Sequence, residues 1–242
     1  TSFTAGNCDT SNVTSIQQMF ASCSNLTTIN LLGLDTSSVT NMRQVFYICG
    51  SLTSADLSSF DTSNVTGAMD DFFRNCSSLT SVDLTSFDTS GITDLMSFLR
   101  GCSSLTSVDV SSFDTSSVTN MEHVFNGCSS LTSINVSTFD TSSATTFNEM
   151  FYNCSSASGS ITGPEDFDIT SIGTNGMGGM FQNTSLSTTV YDELLVNWEG
   201  QTGYNNQNPH FGSSEYTGSS AAATARAALV TAGWSITDGG TA

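Results

Sequence analysis

Cys76-Ser-Ser-Leu79-Thr-Ser-Val82-Asp83-Leu84-Thr-Ser-Phe87-Asp88-Thr-Ser-Gly91-Ile92-Thr93-Asp94-Leu95-Met96-Ser97-Phe98-Leu99-Arg100-Gly101 is one period of a repeat, and Cys102 opens the next. Asp-Thr-Ser recurs at Asp9, Asp35, Asp61, Asp88, Asp114 and Asp140, at steps of 26, 26, 27, 26 and 26 residues, and a looser copy begins at Asp168. Cys23, Cys49, Cys76, Cys102, Cys128 and Cys154 keep the same phase, so the period belongs to the whole unit. Self-similarity at a period on the order of 20–50 residues marks a repeat architecture, in which each unit buries its apolar face against its neighbours.

Within the unit, Leu79, Val82 and Leu84 have the Leu-x-x-Leu-x-Leu spacing of a leucine-rich repeat, which predicts a short strand alternating in and out of a core. The same trio is Leu26-Ile29-Leu31, Leu52-Ala55-Leu57, Leu105-Val108-Val110 and Leu131-Ile134-Val136. Phe60, Phe87, Phe113 and Phe139, with Leu34 in an earlier unit, precede Asp-Thr-Ser and are expected to form an aromatic ladder. The Asp and the hydroxyls after it suit an Asx or Ser/Thr turn. A β-branched residue follows (Val13, Val39, Val65, Ile92, Val118), then a stretch such as Met121-Glu122-His123-Val124-Phe125. Its apolar positions at i, i+3 and i+4 predict one helical or 3₁₀ turn opposite the strand.

The expected fold is therefore an α/β repeat solenoid over residues 1–184, a leucine-rich-repeat-like right-handed coil of about seven 26-residue units. The single 27-residue unit carries its extra residue in Gly67-Ala68-Met69-Asp70-Asp71. Residues 185–242 differ in kind. Tyr191 to Trp198 reads as an amphipathic helix, Gly203 to Gly212 as a loop, Ser219 to Ala232 as an Ala-rich helix, and Gly233 to Gly240 as a turn and final strand, together a small α/β C-terminal cap.

The phrase Cys-Ser-Ser-Leu-Thr-Ser-x-Asp-Leu-Ser-Ser-Phe-Asp-Thr-Ser-x-Val-Thr-x-Met resembles the repeats of the BspA-like leucine-rich-repeat surface proteins over about residues 8 to 184. The tail from Ala221 through Gly233-Trp234-Ser-Ile-Thr-Asp238-Gly-Gly is similar to a closing module that ends such proteins in bacteria and in some phage-encoded structural proteins. The resemblance implies surface display, adhesion or fibre building without enzymatic activity, and it identifies no ligand.

Ionic composition narrows the partners. The chain has 22 acidic and four basic residues, Arg43, Arg74, Arg100 and Arg226, with no lysine, for a net charge of −18. That field repels phosphate backbones and anionic membranes, so no nucleic acid is expected as partner. No apolar run reaches the roughly 18–20 residues of a membrane span. The start, Thr1-Ser2-Phe3-Thr4-Ala5-Gly6, has neither a basic segment nor an apolar signal core, and the chain reads as a processed product or a segment of something longer.

Six stacked cysteines are expected to be reduced core thiols, since side chains pointing the same way make poor disulfides. There is no Cys-x-x-Cys, and His123 and His210 are far apart in sequence. Rows of aspartate repel one another, by about 0.8 kcal/mol per pair at ~5 Å even in bulk water, so something must offset them. Backbone N–H capping is the favoured answer; the alternative is bound Ca²⁺, with Asp56, Asp83 and Asp109 as its candidates and no other cofactor or metal. No nucleophile elbow, phosphate loop or Ser–His–acid arrangement stands out, and no enzyme is expected.

Recognition is expected where the units differ. The pair after the Met-Phe element changes from Ala21-Ser22 to Tyr47-Ile48, Arg74-Asn75, Arg100-Gly101, Asn126-Gly127 and Tyr152-Asn153. With Arg43 and His123 close by, this makes Arg43, Tyr47, Arg74, Arg100, His123 and Tyr152 the candidate binding stripe, because Tyr and Arg are enriched among interface anchors. The expected partner is a protein or glycan on a cell or particle surface, or other copies of the chain, and the place is extracellular or cell-surface. The second class of reading is a structural subunit of a fibre, appendage or virion, such as a tail fibre or capsid decoration. A partner is also expected at the N-terminal coil, where core side chains would otherwise lie bare.

Overall fold

In the computed structural model, which describes residues 2–5, 8–201, 206–218 and 221–242, the Asp-Thr-Ser motif divides its labour. The Asp makes the turn: Oδ1 of Asp61 accepts from the N–H and the Oγ–H of Ser63, at 3.0 and 2.6 Å, and Asp35, Asp88 and Asp140 do the same with Ser37, Ser90 and Ser142. The Thr joins repeats. Thr62 Oγ1 donates to the carbonyl of Asp88 at 3.0 Å and accepts the Asp88 N–H at 2.8 Å, although it is only 2% exposed. Thr10, Thr36 and Thr141 make the same pair of bonds to Asp35, Asp61 and Asp168.

Strands are few and short. β1 (Ser2–Thr4), β2 (Thr28–Asn30) and β3 (Ser54–Asp56) form a parallel sheet with Phe3, Ile29 and Ala55 in register, one period apart. β4 (Gly67–Ala68) pairs with β5 (Ile92–Asp94), and β6 (Ile134–Asn135) with β7 (Ile161–Thr162). β4 and β5 lie on the Met-Phe side of the repeat, away from the leucine trio. Residues 79–84 and 105–110, expected as strands, have no strand structure. There the bonds between repeats lengthen, from 2.8 Å for Thr53 N–H to the Thr27 carbonyl, to 3.2, 3.3 and 3.4 Å at Thr80, Thr106 and Thr132. Serine, threonine and aspartate side chains compete for the backbone in this stretch, as Thr85 does with Asp83.

No helix forms opposite the strands either. Each repeat holds residues in the left-handed region there: Gln18 and Ser22, Gln44 and Ile48, Asp71 and Asn75, Ser97 and Gly101, His123 and Gly127, Glu149 and Asn153. A helix needs consecutive right-handed residues, so two reversals four residues apart replace it by successive turns. Their N–H groups alternate, one bonding three residues back and the next crossing to the following repeat: Met19 to the Ile16 carbonyl, Phe20 to that of Val45.

The expected α/β repeat solenoid, a right-handed coil of about seven units, is therefore corrected. Among the described residues there are two α-helices, both beyond Ser187; the strands fall into separate sheets of two or three; and most of the chain is turn and irregular structure. What persists is the period itself, carried by parallel backbone contacts between neighbouring repeats such as Ser15 with Asn41, Asp94 with Asn120 and Asn120 with Thr146.

The core follows the sequence phase closely. Leu52, Leu57, Leu79, Leu84, Leu105, Val110, Leu131 and Val136 are buried, as are Phe60, Phe87, Phe113 and Phe139. The stacked rings lie in the other aromatic column: Phe20 on Phe46 at 5.7 Å and 8°, Phe46 on Phe73 at 5.2 Å and 7°, Phe125 on Phe151 at 5.7 Å and 6°. Leu99 interrupts that column, and Phe87 and Phe113 meet Phe72 and Phe98 edge-on instead. Cys49, Cys76, Cys102, Cys128 and Cys154 are free, buried thiols whose Sγ–H donates to carbonyls of the preceding repeat at 3.0–3.3 Å. Cys23 is exposed, unlike the other five.

Beyond the repeats, Ser187 caps α1 (Thr188–Glu199) through its hydroxyl, which accepts the Val190 N–H at 3.3 Å, and Tyr191, Leu194, Leu195 and Trp198 are buried. α2 (Ala221–Thr231) packs on α1, and β8 (Glu215–Tyr216) pairs with β9 (Gly240–Thr241). Asp238 ties the tail together: Arg226 donates to it through Nε and Nη2 at 2.7 and 3.1 Å, and the Tyr191 hydroxyl donates at 2.6 Å. Phe211 continues the ring stack on Phe181 at 5.7 Å. Residues 203–205 of the expected loop, and 219–220 at the expected start of the second helix, lie outside the described residues.

Candidate functional site

Three backbone bonds cross each boundary on the turn side, and they set three side-chain columns. In the first, the carbonyls of Tyr47, Arg74, Arg100, Asn126 and Tyr152 accept from Ser22, Ile48, Asn75, Gly101 and Gly127 at 2.6, 2.8, 2.6, 2.7 and 2.8 Å. Their side chains therefore follow one another, one per repeat, and the Arg74 guanidinium lies over the Tyr47 ring at 5.5 Å. The structure thus brings together four of the six predicted stripe residues, Tyr47, Arg74, Arg100 and Tyr152, all half-buried, with the buried Asn126 among them.

Arg43 and His123 belong to neighbouring columns. Arg43 lies in line with Asp70, Met96, Glu122 and Asn148, whose carbonyls accept the crossing bonds from Gln44, Asp71, Ser97 and His123. Its guanidinium grips Asp70 from the next repeat with Nε and Nη2 at 2.6 and 3.0 Å, and Asp70 is 2% exposed. Glu122 of the same column accepts from Thr146 and Asn148, each at 3.0 Å. His123 adopts the left-handed conformation in line with Gln44, Asp71, Ser97 and Glu149. Gln18 donates to Gln44 at 2.6 Å, and Gln44 to Asp71 at 3.0 Å.

Most of the charge in these columns is paired between or within repeats. Arg74 Nη1 meets Asp71 Oδ1 at 3.2 Å, while His123 Nε2 and Asn126 Nδ2 approach Glu149 Oε2 at 3.3 and 2.8 Å. Burial holds the His123 imidazole below its usual range, with the positive charge of Arg100 next in importance and Glu149 opposing both. Burial raises the Asp94 carboxyl, and the nearby Asp70 charge adds to the rise against the Met96 N–H bond. Arg100 forms no ion pair among the described residues, which leaves one unneutralised cation at the middle of the column. Asp71 and Glu149, which meet Arg74 and His123, were missed because polar residues on a turn look alike in sequence.

The Ca²⁺ candidates sit elsewhere, on the leucine side. Asp56, Asp83 and Asp109 each accept through Oδ1 from the backbone N–H two residues on, at 3.1, 3.0 and 2.9 Å. Hydrogen bonds from the hydroxyls of Ser58, Thr85 and Ser111, and next these backbone bonds, lower all three carboxyls. Among the described residues, no group of three or more His, Cys, Asp or Glu is arranged to hold a metal ion. No helix among them is long and apolar enough to cross a membrane.

No curated protein and no solved structure matches the chain. A family model does, over residues 2–82 and again over 67–194, which together span the repeats and run into α1. The family is of the BspA-like repeat kind that the sequence resembles, and the match stops short of 195–242, so the likeness of the tail to a closing module of phage structural proteins has no support from it. With its repeats matched from β1 to α1, the chain belongs to the family described as Mycoplasma protein of unknown function, DUF285.

Proposed function

We propose that the chain is a non-enzymatic recognition module, displayed outside the cell, that binds a protein or glycan partner through the column Tyr47, Arg74, Arg100, Asn126 and Tyr152. One observation carries the reading: the turn-side columns, this one among them, change from repeat to repeat, while the leucine side, the Asp-Thr-Ser turn and the cysteine recur, held by the joints they make. Aspartates close turns, threonine hydroxyls and cysteine thiols bond across boundaries, and the apolar residues fill the core. Groups committed in this way hold the array together rather than attack a substrate. The column is also where arginine gathers in a chain of net charge −18, and among the described residues Arg100 forms no ion pair. Aromatic and arginine side chains presented on a rigid frame are the usual anchors of protein interfaces.

The test is binding of the isolated protein to glycan arrays and to intact cells. The expected result is a signal that falls at least roughly tenfold in Arg100→Ala and Tyr152→Ala, a loss typical of an anchor residue, with the fold unchanged by circular dichroism. Binding that survives both substitutions would remove the column from the reading. Recovery of the chain in purified filaments or virions, with no binding to cells or glycans, would replace recognition by the structural-subunit reading.

A further inference from the structure

At every boundary between repeats the same three donors meet the same three acceptors. Gln18, Phe20 and Ser22 donate to the carbonyls of Arg43, Val45 and Tyr47; Gln44, Phe46 and Ile48 to Asp70, Phe72 and Arg74; Asp71, Phe73 and Asn75 to Met96, Phe98 and Arg100. The series continues through Ser97, Leu99 and Gly101, then His123, Phe125 and Gly127, to Glu149, Phe151 and Asn153, which donate to Gly178, Met180 and Gln182. The acceptors of the first repeat are Gln17, Met19 and Ala21, and among the described residues no backbone hydrogen bond reaches their carbonyls. The other joints are open there too. The Asp35 carbonyl takes a threonine hydroxyl but that of Asp9 takes none among the described residues, and Cys23 is exposed while its five counterparts are buried. Met19 is 43% exposed, whereas Val45, Phe72, Phe98, Val124, Met150 and Met180, which occupy its place in later repeats, are at most 3% exposed.

Two apolar-walled cavities open on this edge, about 270 Å³ beside Ile16, Met19 and Leu34, and about 400 Å³ beside Phe3, Cys23 and Leu26. β1 adds an outer edge with Phe3 38% exposed. We propose that this edge is a docking surface for one further repeat of the same kind, whose Met-Phe turn supplies three N–H donors at i, i+2 and i+4 to Gln17, Met19 and Ala21. The occupant must hold residues i and i+4 in the left-handed conformation and place a ring against Phe20, beside the Phe3 ring that meets Phe20 edge-on at 5.1 Å, as Phe46 accepts the ring of Phe20 at 5.7 Å. A folded second copy of this chain does not meet the requirement, because each of its donor rows from Gln18 to Asn153 is already bonded within the chain. The register that pairs Ser2 with Thr28 sets the occupant one period before β1.

The test fuses a copy of residues 28–53 directly ahead of Ser2, which brings the donors of Gln44, Phe46 and Ile48 to the open row. In a Cys8→Ser background, with the cysteine of the added repeat also replaced by serine, Cys23 is the one exposed thiol, and labelling under native conditions reads it alone. The expected result is Cys23 labelling slowed at least roughly tenfold, as local opening becomes the route of access, together with a higher Tm. Fusion of the same residues in shuffled order serves as control and is expected to leave labelling as fast as before. Equal labelling with and without the ordered repeat would overturn the proposal, as would equal protection by the shuffled one. A dimer of the unextended protein with Cys23 protected would also overturn it, by making a second copy the occupant.

Discussion

Replacing Thr62 with valine keeps the shape of a buried side chain and removes one oxygen. That oxygen donates to the Asp88 carbonyl at 3.0 Å and accepts the Asp88 N–H at 2.8 Å, within a side chain 2% exposed to solvent. Each lost bond costs about 1 kcal/mol net, and a partner left without water costs about 1–3 kcal/mol instead. The two Asp88 groups are partly buried, so the expected loss is about 2–4 kcal/mol. For a chain of this size that lowers Tm by roughly 5–15 °C, at about 2–4 °C per kcal/mol. Thermal unfolding followed by circular dichroism reads the shift. Two companions isolate the cause: Thr62→Ser keeps the hydroxyl and is expected to retain most of the stability, and Ser63→Ala loses only an exposed bond to Asp61 and is expected to cost under about 1 kcal/mol. A valine variant that unfolds within about 1 °C of wild type would refute the assignment of Thr62 as a joint between repeats. So would equal losses in the valine and serine variants, which would place the effect in the methyl group or the backbone.

Acidification tests the aspartate turns: Asp9, Asp35, Asp56, Asp61, Asp83, Asp109, Asp114 and Asp140 are all lowered by hydrogen bonds from the serine or threonine two residues on. Because the unfolded chain takes up protons first, their stabilisation is complete above the ordinary value of 3.8 and is lost as pH falls through the lower folded values; a Tm that stays level or rises from pH 5 to 2.5 would contradict this. Chelation with EDTA is expected to leave Tm unchanged within about 1 °C, since a ligand bound only by the folded state would stabilise it by mass action, and a large drop restored by Ca²⁺ would show that Asp56, Asp83 and Asp109 hold a cation. Native protein is expected to react with a thiol reagent at Cys8 and Cys23 only, since burial raises the Cys49 thiol to about 11 and the Cys154 thiol to about 12, and the remaining five should appear on unfolding. Arg43→Ala leaves the buried Asp70 without its cation and is expected to cost about 2–3 kcal/mol in denaturant unfolding, whereas Arg100→Ala should stay within about 0.5 kcal/mol.

The apolar phase was legible because burial is what a repeat preserves most visibly: Leu79, Leu84, Phe87 and Cys76 recur at fixed offsets and are all buried. The local conformation was not. Met121-Glu122-His123-Val124-Phe125 has helical spacing, yet the same i, i+3, i+4 pattern fits two turns interrupted by a left-handed residue, and Gln18, Asp71, Ser97 and His123 have too little in common to advertise that conformation. Leu79, Val82 and Leu84 have strand spacing, but the serines and aspartates around them divert the backbone. Thr89 shows the opposite failure: its hydroxyl bonds the Asp114 carbonyl 25 residues away, a role that no local rule for Ser/Thr turns contains. At the candidate site, the column of Tyr47, Arg74, Arg100 and Tyr152 was visible as variation between units, while the pairing of Arg43 with Asp70 and of His123 with Glu149 depends on which residues stand one period apart.

Because each boundary uses the same donors and acceptors, the repeats are interchangeable parts. Excision or duplication of a whole period leaves matched surfaces on either side of the cut, whereas loss of a single residue sets the donors before it out of line with the acceptors after it at the boundary that spans the loss. The one odd unit shows how a small length change is tolerated: Gly67, at φ +83°, lies where the register between β4 and β5 shifts, so the added residue is taken up at a glycine before the next donor row at Asp71. Rearrangement by whole periods is thus expected to yield proteins that still fold. The order of side chains on the outer column would change, offering a route to new surfaces by shuffling alone.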